Sequence, residues 1–193
     1  MGMPHLSLFE RHNPTLPYEI ICGPRLEAEE RLSSWRNCDR VIRDWYLRAG
    51  QKLSFDHLLF SEGDVLWNAR VADVIDLVDF GGCGFQRFGK TPFDYPEDAL
   101  RLPAPIRPFA SQVKPLAVMV ISRPVLHKMM TDPLAEELFE RDIFCEVRMA
   151  SLARYVGAKL SHLVGLRKLY FWPDRREKCV LHPVKAANVF ETA

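Results

Sequence analysis

The sequence predicts a mainly α-helical fold, a single compact domain over residues 1–193 with at most a few short strands. Apolar residues recur at helical spacing in several segments, and prolines and glycines lie at the expected ends of those segments. The hydrophobic content of 48% is enough for one well-filled core. A chain of this length needs no disulfide or metal to stay folded.

The N-terminal part is expected to contain an extended segment followed by a long helix. Pro4, Pro14, Pro17 and the following Pro24 indicate an extended segment over residues 1–23, with a short strand at residues 18–22. A helix is expected to begin at Gly23-Pro24, where proline loses no helical hydrogen bond, and to end at Gly50. Its apolar face would consist of Leu26, Leu32, Trp35, Ile42, Trp45 and Tyr46.

Two shorter helices are expected next, over residues 54–60 and 65–80, with Ser54 and Asp64 as their N-caps. Gly81-Gly82 would end the second one. That helix would carry Asp73, Asp76 and Asp79 at three-residue intervals. We interpret this row as a solvated acidic face suited to a basic partner surface, although paired carboxylates can also hold metal.

Residues 83–115 are predicted to form one long, irregular connection rich in proline and aromatic residues, in which residues 96–102 could form one or two helical turns. It could be a binding loop or a crossover connection that packs its aromatic side chains against the core. We favour the crossover, because many aromatics here require burial: Phe85, Phe88, Phe93, Tyr95 and Phe109.

The C-terminal part is expected to be helical. Residues 116–121 are an apolar run that could be a buried strand or a core helix. Asp132-Pro133 should start a helix that continues to Val147, kinked near Arg141. A further helical stretch is expected over residues 149–169, and a last short strand over residues 179–181.

The chain has 26 basic and 25 acidic residues and therefore a net charge of +1. Its overall electrostatic field is too weak to attract it to nucleic acid or acidic lipid. Residues 141–193 carry +5, which leaves −4 for the rest. The five cysteines are odd in number, and no signal peptide or membrane-spanning run is recognisable. We therefore expect a cytoplasmic protein without membrane insertion.

Residues 84–91 match the phosphate-loop pattern G-x-x-x-x-G-K-[ST], which makes Gly84, Gly89, Lys90 and Thr91 candidate nucleotide-binding residues. Lys90 would reach the phosphates and Thr91 would hold magnesium. The pattern requires a strand before it and a helix after it. The sequence predicts a helix before it and prolines after it, which argues against a nucleotide site.

Residues 152–169, from Leu152 to Leu169, have the apolar spacing of a helix-turn-helix, with Gly157 at the turn. Lys159, Arg167 and Lys168 would help such a motif meet DNA phosphates. The same spacing suits any pair of core helices, and we prefer that interpretation. Nucleic acid is therefore not the expected partner.

No catalytic residue, metal site or cofactor is predicted. Cys179 and His182 form one Cys-x-x-His pair, whereas zinc needs three or four protein ligands. No nucleophile elbow or cysteine signature is present.

The order of segments resembles the accessory subunits of type III secretion sorting platforms, which are small, helical and cytoplasmic. That order is a Trp-bearing N-terminal helix, a middle pair of apolar segments, and a helical stretch over residues 149–169 that leads into Trp172-Pro173. Residues 83–115 depart from it. We expect a non-catalytic interaction protein, an adaptor, chaperone or accessory subunit with a protein partner. The alternatives are a nucleotide-binding enzyme and a small DNA-binding regulator.

Overall fold

The computed structural model describes residues 9–18, 36–62, 65–67, 69–91, 93–114, 116–166 and 180–181. It shows helices and strands together, so the prediction of a mainly helical fold is wrong. The strands are β1 (His57–Ser61), β2 (Leu66–Trp67), β3 (Phe80–Gly82), β4 (Phe85–Arg87), β5 (Ser111–Val113), β6 (Val118–Ser122), β7 (Leu160–His162) and β8 (Val180–Leu181).

Helices are interspersed with these strands along the chain. They are α1 (Cys38–Arg48), α2 (Val71–Val74), α3 (Pro96–Arg101), α4 (Arg123–Thr131), α5 (Pro133–Glu140) and α6 (Cys145–Tyr155). Short 3₁₀ turns lie at Gly50–Lys52, Arg107–Phe109 and Val164–Leu166. None of the helices in the described ranges is both long and apolar enough to cross a bilayer.

A four-stranded sheet with the order β1-β6-β3-β7 organises the fold. Strand β6 pairs antiparallel with β1 and with β3, and β3 pairs parallel with β7. Two smaller two-stranded sheets join β2 to β8 and β4 to β5.

Strand β6 separates two hydrophobic clusters because successive side chains of a strand point to opposite faces. Met119 and Ile121 belong to the larger cluster, which contains the apolar faces of α1, α4, α5 and α6. Val118 and Val120 belong to the smaller cluster, with Trp67 and other buried side chains. All five residues of β6 are buried, as expected for a strand covered on both faces.

Several predicted helix ends are confirmed. Helix α1 stops before Gly50, and the one or two helical turns expected near Pro96 form α3. Asp132 caps α5, since its side chain accepts a hydrogen bond from the Leu134 N–H at 2.9 Å. Residues 9–12 are helical, within the segment that was predicted to be extended. The part of the first predicted helix before residue 36 lies outside the described residues, as do residues 19–22 of the first predicted strand.

Other predicted helices are wrong. The segment 54–60 forms β1, which pairs with β6, and the segment 65–80 is divided among β2, the single turn α2 and β3. The helix from Asp132 ends at Glu140, and a new helix begins at Cys145. The helical stretch expected over 149–169 ends at Tyr155 and is followed by β7. Tertiary strand pairing overrode the helical spacing where β1, β2, β3 and β7 form.

The central segment 83–115 is less irregular than predicted, because it contains β4, α3 and β5. Phe85, Phe93 and Tyr95 pack against the larger cluster, as the crossover interpretation requires. Phe88 is 37% exposed and contacts Phe93 edge to face. Residues 116–121, left open between strand and helix, contribute to strand β6.

Candidate interaction surface

A surface depression of about 280 Å³, here called the basic depression, brings together four basic side chains. Three parts of the chain form it: the end of β4 with its turn, the 3₁₀ turn at Arg107–Phe109, and the last turn of α6. Its lining consists of Arg87, Phe88, Lys90, Arg107, Pro108, Ala110 and Arg154.

The turn after β4 is fixed by hydrogen bonds to Arg87. Its carbonyl oxygen accepts from the N–H groups of Lys90, at 3.0 Å, and of Thr91, at 3.1 Å. The Thr91 hydroxyl accepts from the Arg87 N–H at 2.8 Å. Gly89 has a φ of +74°, a left-handed conformation that glycine adopts without strain. This turn places Arg87 and Lys90 together in the lining of the depression.

Arg154 is anchored against β5 from the opposite side. Its Nη1 donates to the Phe109 carbonyl at 2.9 Å and to the Ser111 hydroxyl at 2.8 Å. Burial, and secondarily the charge of Arg87, lowers the pKa of Arg154. An arginine nevertheless stays charged at neutral pH. The Arg154 guanidinium is thus held in place with another positive charge near it.

The basic depression has no acidic counterpart among the residues that the structure describes. No carboxylate there lies within 4.0 Å of its four basic groups, whereas elsewhere on the surface Arg48 pairs with Asp44 and Arg70 with Asp73. Like charges without counterions raise the local potential and attract anions. The charge of this surface therefore suits negatively charged groups.

A buried polar network joins β5 to α6 and supports the depression from below. Gln112 Nε2 donates to Glu146 Oε2 at 2.9 Å, and the Leu116 N–H donates to Glu146 Oε1 at 3.3 Å. The Ser151 hydroxyl accepts from the Ser111 N–H at 3.0 Å and donates to the Ser111 carbonyl at 3.1 Å. Burial raises the pKa of Glu146 to about 7.

A second buried network joins α6 to α1. Arg148 Nη1 donates to Asp39 Oδ1 at 3.0 Å, and both side chains are fully buried. Arg148 Nη2 also donates to Asn37 Oδ1 at 2.9 Å. Burial raises the pKa of Asp39 to about 6, although the charge of Arg148 acts in the opposite direction. This ion pair fixes the N-terminal ends of both helices.

The phosphate-loop pattern adopts a different geometry from the one that the motif describes. Gly84 precedes β4, and Gly89, Lys90 and Thr91 lie in the turn after it. The backbone N–H groups of Lys90 and Thr91 donate to the Arg87 carbonyl instead of pointing into an open loop. Of these candidates, only Lys90 lines the basic depression.

The helix-turn-helix candidate, residues 152–169, contains one helical end and a strand in its described part. Leu152 is buried in α6, Gly157 has a φ of +89° after the helix, and residues 160–162 form β7 in the central sheet. A second helix that could enter a DNA groove is not present in residues 152–166. Leu169 lies outside the described residues.

The acidic row is not one helical face. Asp73 lies in α2 and pairs with Arg70 at 2.7 Å, Asp76 follows that helix, and the Asp79 side chain accepts from the Lys159 N–H at 3.4 Å. Asp64, Cys179 and His182 lie outside the described residues. No group of three or more potential metal ligands occurs within the described part of the chain.

Comparisons with known proteins give no relative: no protein-family model, no curated protein and no solved structure matches the chain.

Sequence reasoning named Lys90 but did not single out Arg107 or Arg154. The basic bias of residues 141–193 was the one signal that pointed toward Arg154. No sequence pattern around Arg107 indicates a binding role, because only the fold brings its 3₁₀ turn next to β4.

Proposed function

We propose that this chain is a non-catalytic interaction protein, an adaptor, chaperone or accessory subunit of a larger cytoplasmic assembly, whose basic depression docks onto an acidic segment of a protein partner. The observation that supports the proposal is the convergence of Arg87, Lys90, Arg107 and Arg154 with no carboxylate near them among the described residues.

Both the charge and the shape of the depression suit an acidic peptide. Arginine side chains bind carboxylates through paired N–H donors, and Phe88 and Pro108 supply apolar contact area beside them. Complementary charge of this kind steers encounter and orients the partner. The uneven charge along the sequence fits oriented docking as well.

The two alternative functions receive less support from the geometry. The turn of residues 87–91 uses its own backbone donors, and β7 takes the place of a DNA-recognition helix. The resemblance to type III secretion subunits is also weakened, because its helical stretch over residues 149–169 ends at Tyr155. A secretion-related assembly remains part of the proposal, because the Trp-bearing helix α1 is still followed along the chain by the middle apolar segments.

Co-purification tests the proposal. The tagged protein is recovered from native extract with and without nuclease, alongside the double variant Arg87→Gln/Lys90→Gln. Lys52→Gln/Lys128→Gln is the matched control, because it removes two exposed positive charges outside the depression. Surface ion pairs contribute up to about 1 kcal/mol each, so the first variant should lose up to roughly 30-fold in affinity.

The outcomes separate the functions. Stoichiometric protein partners that survive nuclease, are lost from the Arg87→Gln/Lys90→Gln variant and are kept by the control support the proposal. If both variants retained the partners equally, the basic depression would not be the docking surface. Loss of all partners on nuclease treatment would favour nucleic-acid binding instead.

A further inference from the structure

Two cysteine thiols from distant parts of the sequence meet where two helices begin. Cys38 is the first residue of α1 and Cys145 is the first residue of α6, 107 positions later. Both are reduced thiols, and their Sγ atoms are 3.5 Å apart. Such a separation along the chain means that only the folded protein brings these sulfur atoms together.

The contact between the sulfurs is supported by the buried ion pair beside it. Asp39 follows Cys38 directly, Arg148 lies one helical turn after Cys145, and the two side chains bond at 3.0 Å. Asn37, which precedes Cys38, accepts a second hydrogen bond from Arg148. The two helix ends are therefore held together by charged hydrogen bonds on both sides of Cys38.

The two thiols differ in access. Cys38 is half-buried, whereas Cys145 is 2% exposed. A dissolved reagent therefore reaches Cys38 first, and the Cys145 sulfur lies 3.5 Å from the Cys38 sulfur that would carry the modification. Burial, together with the neighbouring Cys38, raises the pKa of the Cys145 thiol. Since the thiolate is the nucleophile, we expect Cys145 to react slowly at neutral pH and faster as pH rises.

We propose that Cys38 and Cys145 form a modification site that small-molecule disulfides oxidise to an intramolecular disulfide, with Cys38 as the entry residue and Cys145 as the resolving residue. In the first step the Cys38 thiolate attacks one sulfur of the reagent, and half of the reagent leaves as a thiol. In the second step the Cys145 thiolate attacks the Cys38 sulfur and displaces the other half.

The reaction is balanced by the reagent alone. Two protein thiols lose two electrons and two protons, and the reagent disulfide gains both as two thiols. The product requires the sulfurs to approach from 3.5 Å to the bond length of about 2.05 Å, a shift that side-chain rotation and a small helix displacement can supply. This site does not depend on the proposed function of the basic depression.

The test treats the folded, reduced full-length chain with oxidised glutathione and then identifies modified peptides by mass spectrometry after alkylation. We expect a cross-linked peptide pair that contains Cys38 and Cys145. Its appearance should accelerate with pH. Cys145→Ser should instead accumulate a stable glutathione adduct on Cys38, because the second step is blocked.

Two controls isolate the folded geometry. Cys83→Ser removes another half-buried cysteine and should leave the cross-link unchanged. Wild-type protein in concentrated urea should lose the preference for this pair, and this comparison needs no variant that must fold. The cross-link should also raise the melting temperature, because it closes a long loop in the unfolded chain. A wild-type protein that keeps glutathione on Cys38 while Cys145 remains alkylatable, or that forms the pair no faster when folded, would overturn the proposal.

Discussion

Replacing Glu146 by glutamine should reduce the dependence of stability on pH. In the folded protein, burial raises the pKa of Glu146 from its usual 4.5 to about 7, although Gln112 and the Leu116 N–H donate to its carboxylate oxygens. In the unfolded chain this carboxyl group titrates near its usual pKa. Between these two values the folded state binds more protons than the unfolded state, so the free energy of unfolding falls as pH rises.

The size of this effect follows from the two pKa values. Each pKa unit corresponds to about 1.36 kcal/mol, and the difference between 4.5 and about 7 therefore corresponds to about 3 kcal/mol. This is an upper limit, since the residue keeps 8% of its surface exposed. The loss of stability develops between these two pKa values and is complete above the higher one. Glutamine carries no charge at any pH, so the variant lacks this contribution.

Urea denaturation of wild type and Glu146→Gln over a series of pH values measures the effect. Glutamine also changes the hydrogen bonds to Gln112 and Leu116, which shifts its stability by an amount that does not vary with pH. The informative quantity is therefore the change with pH of the difference between the two proteins. It should move in favour of the variant by up to about 3 kcal/mol as pH rises from about 4.5 to about 8.

Glu140→Gln is the matched control, because Glu140 is an exposed residue at the end of α5. Its difference from wild type should change little over the same pH range. If the Glu146→Gln difference were constant with pH, or moved in favour of wild type as pH rises, Glu146 would not be a buried carboxyl with a raised pKa.

Two further substitutions test the packing of the fold. Arg148→Ala leaves the buried Asp39 carboxylate without its ion-pair partner and should lower the free energy of unfolding by about 3–5 kcal/mol in urea denaturation. Arg70→Ala, at an exposed ion pair, should change the free energy of unfolding little. Equal losses would contradict the burial of the Arg148 pair. Gly165→Ala would place a Cβ 2.2 Å from the Val74 carbonyl oxygen and should cost about 1–3 kcal/mol. An unchanged urea midpoint would contradict that close contact.

Local backbone chemistry explains which elements could be predicted from the sequence. Three local signals mark real helix boundaries. Asp132-Pro133 and Pro96 lie where α5 and α3 begin, and Gly50 follows the end of α1. Each signal acts on its immediate neighbours along the chain. These signals do not depend on what the rest of the chain does.

The strands depend on distant partners, and this is why helical spacing misled the prediction. Residues 58–60 are a short apolar run that becomes the centre of β1 because β6 lies beside it. Gly81 and Gly82 were interpreted as a helix end. They are instead glycines in β3 that leave room for Leu163 and Val113, since a Cβ there would lie 2.7 Å and 2.4 Å from those side chains.

The basic depression could be predicted only in part. Arg87 and Lys90 both lie in the phosphate-loop pattern of residues 84–91, but of the two that pattern indicated a role for Lys90 alone, and in a different chemistry. Arg107 and Arg154 join them because β4 pairs with β5 and α6 packs on β5. These contacts form only in the folded protein, so the distribution of charges along the sequence does not reveal them.

The parallel pairing of β3 with β7 can form only late in protein synthesis, because the two strands are far apart in the sequence. Phe80 of β3 pairs with Leu160 of β7, so the ribosome must release the intervening helices before this pairing becomes available. Until then one backbone edge of β3 lacks its partner, and the smaller cluster lacks Leu163 and Leu166. Unpaired strand edges promote association between chains. We therefore expect the nascent protein to be prone to aggregation in the interval between the emergence of β3 and that of β7.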